Sequence, residues 1–132
     1  MGTLQALTPA QLRWVGDTPE AEHFGDIYFS RENGLAESRY VFLDGNHLQR
    51  RWQSLPEKSC FVIGETGFGT GLNFLLAWQL WQETATTDTQ LFFISTELFP
   101  LTHDDLARAL AFWPELTAWS SQLLQQYPAL TP

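Results

Sequence analysis

Gly64, Gly67, Gly69 and Gly71 fall in one short stretch between a β-prone run and a helical one. The run before it, Ser59-Cys60-Phe61-Val62-Ile63, is apolar throughout, as expected for a strand covered on both faces. The stretch after it, over residues 72–83, puts Leu72, Leu75, Leu76 and Leu80 on one helical face, flanked by Trp78 and Trp81. A second apolar strand, Leu91-Phe92-Phe93-Ile94-Ser95, follows a polar loop at 84–89. Strand, glycine loop, helix and strand in that order make a parallel crossover unit. The expected class is therefore α/β, half of a doubly wound sheet, with any ligand at the carboxyl ends of its strands.

The flanks are less regular. Residues 1–25 are polar and broken by Pro9, Gly16, Pro19 and Gly25, with one short strand near Leu12–Val15. Asp26-Ile27-Tyr28-Phe29-Ser30 is β-prone, and Glu32-Asn33-Gly34 signals a turn. Residues 39–43 and 47–52 read as two strands of a β-hairpin around Asp44-Gly45-Asn46. A helix beginning at Asp44 is the alternative. The chain then divides into an extension with a β-hairpin, 1–58, and the α/β part, 59–132. Beyond the second strand, Thr102 is placed to cap a helix whose first turn holds Asp104 and Asp105. Trp113-Pro114 stops that helix. A second amphipathic helix runs over 115–127, with Leu116, Trp119, Leu123 and Leu124 as its apolar stripe.

Three ligand classes compete for the loop. A phosphate-binding P-loop needs a Lys-Ser/Thr pair after its last glycine. Here Leu72-Asn73 follow, and no Lys or Arg lies between Lys58 and Arg108. A dinucleotide site wants G-x-G-x-x-G/A, but after Gly67 and Gly69 the third position is Leu72, which would crowd the helix–strand contact. The third pattern, acid-x-Gly-x-Gly-x-Gly, is met by Glu65 through Gly71 and resembles the first motif of class I S-adenosylmethionine methyltransferases. S-adenosylmethionine carries a sulfonium cation and no phosphate, so an acidic, cation-free loop suits it. Glu97, just past the second strand, is placed to accept hydrogen bonds from ribose hydroxyls.

Charge bears on what else could bind. The net charge is −8, and six of the seven basic residues precede residue 59. Nucleic-acid backbones are bound mainly through Lys and Arg. If RNA is a partner, most of the basic surface is expected outside these residues. No run of 18 apolar residues suggests a membrane span, and the N-terminus lacks a signal pattern. The single cysteine, Cys60, fits a reducing, cytoplasmic setting and reads as a small core residue rather than a nucleophile. His23, His47 and His103 are scattered, so no metal site is expected. The tryptophans read as core, with Trp52 a candidate for stacking on RNA.

Longer matches follow the same order along the chain. They are Asp26-Ile27-Tyr28-Phe29-Ser30, Glu32-Asn33-Gly34-Leu35, and Tyr40-Val41-Phe42-Leu43 with Gly45-Asn46. Next come Glu65 with Gly67-Phe68-Gly69-Thr70-Gly71-Leu72-Asn73-Phe74, and Phe99-Pro100-Leu101-Thr102 with Asp105-Leu106. In these the chain resembles the N-terminal methyltransferase part of the bifunctional tRNA 5-methylaminomethyl-2-thiouridine biosynthesis family, MnmC. The resemblance implies a partial Rossmann-like class I S-adenosylmethionine methyltransferase fold, the first half of the sheet, behind a small N-terminal β-hairpin region. It implies methylation of the aminomethyl group on the wobble uridine of tRNA, with S-adenosylmethionine as cofactor. FAD and an oxidoreductase activity would belong to a further domain outside this chain.

The cofactor-binding residues carried over by the resemblance are Glu65, Gly67, Phe68, Gly69, Thr70, Gly71, Asn73, Glu97, Leu98 and Tyr28. Tyr28, with Asn33 and Gly34, would line the mouth of the site, and Phe68 would cover the cofactor. Two departures stand out. Leu98 follows Glu97 where the family usually has Lys, and the family's later Asp-Gly-Phe segment, whose Asp is the expected catalytic residue, would lie beyond residue 132. The chain is accordingly expected to be a truncated piece, inactive alone. A dinucleotide-dependent oxidoreductase domain and an inactive fragment that self-associates through an unfinished sheet edge are the alternatives.

Overall fold

The computed structural model describes residues 8–15, 18–21, 34–86 and 88–127. The expected strand at 26–30, with Tyr28 and Asn33, lies outside the described residues. The centre of the fold is a pair of parallel strands, β3 (Cys60–Thr66) and β4 (Gln90–Thr96), paired in register from Cys60 opposite Gln90 to Thr66 opposite Thr96. Between them in sequence runs helix α3 (Leu72–Thr84). The expected α/β crossover unit is thus present. β1 (Leu12–Val15) and β2 (Thr18–Ala21) form a separate antiparallel hairpin.

Burial alternates along both central strands. Ile63 is buried, and Phe61, Leu91 and Phe93 are half-buried in a core that includes Leu72, Leu75, Leu76 and Ala77 of α3. Helix α4 (His103–Leu110) adds Leu106, Ala109 and Leu110, and Leu116 enters from a 3-10 turn ahead of α5 (Thr117–Gln126). Each fully buried leucine contributes about 1.5–3 kcal/mol. The other face of the sheet is open: Val62, Phe92 and Ile94 are 57%, 48% and 61% exposed. The expectation of strands covered on both faces is corrected to cover on one. The apolar run that suggested two covers reflects side chains that alternate sides, and the helices take only one of them.

Cys60 is also corrected. It sits exposed at the start of β3, on the open face, and is no core residue. Trp52 is corrected in the opposite sense: at 1% exposure it is core and offers no surface on which RNA could stack.

The expected hairpin at 39–52 does not form. α1 (Gly34–Ser38) runs into a π-helical segment at Arg39–Asp44, and after a turn α2 (Leu48–Gln53) follows. A tight hairpin would need positive φ at Gly45, but Gly45 has φ −59° and donates to the Tyr40 carbonyl at 2.9 Å. The Asn46 side chain donates to the Phe42 carbonyl at 2.7 Å, and His47 takes the left-handed conformation before α2. Leu48 and Trp52, four apart, are both buried, and Trp52 packs on Trp81 of α3, so packing overrides the β propensity of Tyr40, Val41 and Phe42. The alternative reading, a helix in this region, is closer to what is seen. The hairpin of the N-terminal region lies instead at β1–β2.

The chain beyond β4 follows its sequence signals. Thr102 is extended, and its Oγ accepts from the Asp105 N–H at 3.2 Å, capping α4. Asp105 accepts from the Trp14 indole at 3.4 Å, and the Arg108 guanidinium lies 4.1 Å from the Trp14 ring centroid, which docks β1 on α4. Among the described residues, no helix is long and apolar enough to cross a membrane.

Candidate functional site

The loop from β3 to α3 needs its glycines. Gly67, Gly69 and Gly71 have φ of +83°, +57° and +73°. Any other residue there costs roughly 1–2 kcal/mol in backbone strain. Gly71 has a second reason: a Cβ on it would stand 2.8 Å from the tip of the Phe68 ring and 3.2 Å from Leu123. Gly67 differs, because a Cβ there would meet no atom of the described residues within 4 Å. The loop therefore turns one side toward the protein at Gly71 and leaves an open side at Gly67.

Hydrogen bonds tie the loop to the end of β4. The Gly67 and Phe68 amides both donate to the Thr96 carbonyl, at 2.7 and 3.2 Å. The Gly69 amide donates to Glu97 Oε1 at 2.9 Å, and the Phe99 amide donates to Glu97 Oε2 at 3.2 Å. The Gly71 amide donates to the Phe68 carbonyl at 2.9 Å. Four amides of the loop are thus directed at the protein itself. A pyrophosphate site would keep such amides for the ligand.

Glu65, at the end of β3, is held at both oxygens. Ser95 Oγ donates to Oε1 at 2.9 Å, and Asn73 Nδ2 donates to Oε2 at 3.2 Å. Burial pushes the Glu65 carboxyl above its ordinary value of 4.5. The bonds from Ser95 and Asn73 pull it down, and the Glu97 charge pushes it up further. A raised carboxyl favours folding below 4.5 and loses that contribution as pH rises through its folded value. At neutral pH the ionised Glu65 therefore works against stability, and the fold tolerates it.

The expected site residues are largely brought together. Glu65, Gly67, Gly69, Gly71, Asn73 and Glu97 form one connected cluster, and the two carboxylates are close enough to interact. Glu97 holds the loop through Oε1 and its own segment through Oε2, which leaves its remaining lone pairs for a ligand. The Phe68 ring is turned toward α3, 6.0 Å from Phe74. Thr70 is buried, and the Leu98 side chain is 72% exposed beside Glu97. Ser95 was not among the expected residues. Its signal was the register: it lies directly across from Glu65. Among the described residues, no group of three or more His, Cys, Asp or Glu could hold a metal ion.

No family model matches the chain. Individual relatives do. The tRNA 5-methylaminomethyl-2-thiouridine biosynthesis bifunctional protein MnmC of Methylobacillus flagellatus is 53% identical over 130 residues, covering 98% of this chain and 20% of that protein. The protein of the same name from Chromobacterium violaceum is 57% identical over 123 residues, covering 93% of this chain and 19% of its own length. The chain thus spans about one-fifth of these relatives, in their N-terminal part. Among solved structures, MnmC2 from Aquifex aeolicus aligns with a TM-score of 0.58 at 21% identity, covering 96% of this chain and 41% of that one. That likeness shows a shared fold, a partial Rossmann-like α/β arrangement.

Proposed function

We propose that this chain, a homologue of the N-terminal fifth of the bifunctional MnmC proteins, binds S-adenosylmethionine at its glycine loop and supplies the donor half of a tRNA wobble-uridine methyltransferase. The observation that carries the reading is the spent loop: amides of Gly67, Phe68, Gly69 and Gly71 are taken by Thr96, Glu97 and Phe68, and among the described residues the charged side chains bonded in this cluster are two carboxylates, Glu65 and Glu97. That chemistry fits a phosphate-free, positively charged adenosine derivative. When bound, S-adenosylmethionine supplies an activated methyl group on its sulfonium. The chain's own residues do the holding. Gly67 opens the backbone for close approach, Glu65 balances charge at the methionine end, and Glu97 offers its unused lone pairs to the ribose. Methyl transfer to an amine is an in-line displacement, so fixing the donor contributes by orientation. The acceptor amine must reach it uncharged.

The reading carries a cytoplasmic setting and a tRNA substrate, with basic surface mainly in sequence outside this chain. FAD belongs to that outside sequence too. Residues 1–58 serve as the extension and 59–132 as the cofactor-binding part. Titration calorimetry at neutral pH tests the central claim. S-adenosylmethionine is expected to bind in the micromolar range and NAD not at all. Tight NAD binding without S-adenosylmethionine binding would transfer the chain to the oxidoreductases.

One observation favours a second reading for the isolated chain, self-association. Val62, Phe92 and Ile94 are exposed on one sheet face, and among the described residues each strand of the parallel pair has one partner only. Sedimentation over a concentration series is expected to show dimers or larger species. A monomer throughout excludes this reading.

A further inference from the structure

We infer that Ser95 and Asn73 are positioning residues that clamp the Glu65 carboxylate in one orientation beside Glu97, and that this clamp sets the affinity of the loop for a cationic ligand. The inference rests on the S-adenosylmethionine reading for its ligand, and on geometry for the clamp. Each carboxylate oxygen of Glu65 has its own donor from a different element, Ser95 from β4 and Asn73 from α3. The parallel register puts Ser95 opposite Glu65, so the bond follows from strand pairing. Asn73 lies in the first turn of α3, where the helix dipole also favours a negative charge. Among the described residues the charged group that acts on Glu65 is Glu97, from the segment after β4, and it opposes ionisation. The carboxylate is thus half-buried, beside a like charge, and kept usable by two neutral donors.

The sign of the pH effect follows. Bonds to the ionised form lower a carboxyl's pKa, so removing one makes Glu65 take up its proton at a higher pH. A protonated Glu65 offers no charge to a sulfonium. Loss of the Ser95 hydroxyl should therefore move the acid limit of cation binding upward, and loss of Asn73 should do the same. A residue that only filled space would not move that limit.

Two readouts on the whole chain test this. The first is the titration of the Glu65 side-chain carboxyl by NMR without ligand, in the unaltered chain, Ser95→Ala, Ser95→Thr and Asn73→Ala. The alanine variants should titrate at higher pH than the unaltered chain, and Ser95→Thr, which keeps a hydroxyl, should titrate near it. The second is calorimetry across pH with S-adenosylmethionine and with S-adenosylhomocysteine, which lacks the sulfonium charge. Ser95→Ala should bind S-adenosylmethionine about tenfold more weakly near the acid limit, the scale of one charge-assisted hydrogen bond. S-adenosylhomocysteine should lose much less. If Ser95→Ala does not fold, Asn73→Ala carries both measurements. An unchanged Glu65 titration in the folded alanine variants overturns the clamp. If the unaltered chain binds neither compound at any pH, the cofactor reading fails, and the titration still decides the clamp.

Discussion

Replacing Gly71 with valine is expected to destabilise the chain by about 2–4 kcal/mol and to abolish the S-adenosylmethionine binding proposed for the loop. Two costs add. A β-branched residue at φ +73° carries strain of about 1–3 kcal/mol. Its Cβ would also enter space held by the Phe68 ring tip, 2.8 Å away, and by Leu123 at 3.2 Å. Phe68 can swing aside, but it would leave Phe74, and Gly71 is also the cap of α3, with its carbonyl accepting from the Leu75 amide. The control is Gly64→Ala. Gly64 lies on the open face of β3, has no positive φ, and a Cβ there meets nothing within 4 Å among the described residues. It should change stability by less than about 0.5 kcal/mol, the usual range for surface sites. Urea denaturation of both variants decides the matter. Equal midpoints would mean that the loop does not depend on glycine conformation.

Trp52→Ala should cost more, about 3–5 kcal/mol, the range for removing a buried large aromatic. Trp52 is 1% exposed and meets Phe61 and Trp81 edge-on, with ring centroids 5.7 and 5.1 Å away. It is the peg that holds α2 to both β3 and α3. Its indole N–H is buried without a hydrogen-bond partner among the described residues. An unmet buried donor costs roughly 1–3 kcal/mol. Trp52→Phe gives up some volume and removes that donor, so the two effects offset. It should lie within about 1.5 kcal/mol of the unaltered chain, since the small cavity is offset by removal of the unmet donor. Thermal melts followed by far-UV circular dichroism check both. If alanine and phenylalanine destabilise equally, volume is not what Trp52 contributes.

How much of this was legible beforehand depends on the range of the interactions. The glycine loop, α3 and the two parallel strands were readable because local pattern and tertiary burial agree there. Thr102 as a cap was readable for the same reason, since its bond reaches only to Asp105. Residues 39–52 suit strands by their β-branched and aromatic side chains, while Trp52 is recruited by Trp81 of α3. Cys60 and Val62 were misread because an apolar strand does not reveal how many of its faces will be covered. At the site, Glu65 and Glu97 were legible from spacing. Ser95 was not, because its role exists only once β3 and β4 are in register.

The bond from the Gly69 amide to Glu97 joins positions 28 residues apart. Gly67 and Phe68 likewise depend on Thr96. On a ribosome adding 5–20 residues per second, the loop is therefore made roughly 1–6 seconds before the groups that shape it. During that interval the nascent chain carries its glycines as an unformed bend. Synthesis order alone thus delays completion of the loop until the second strand has emerged and docked.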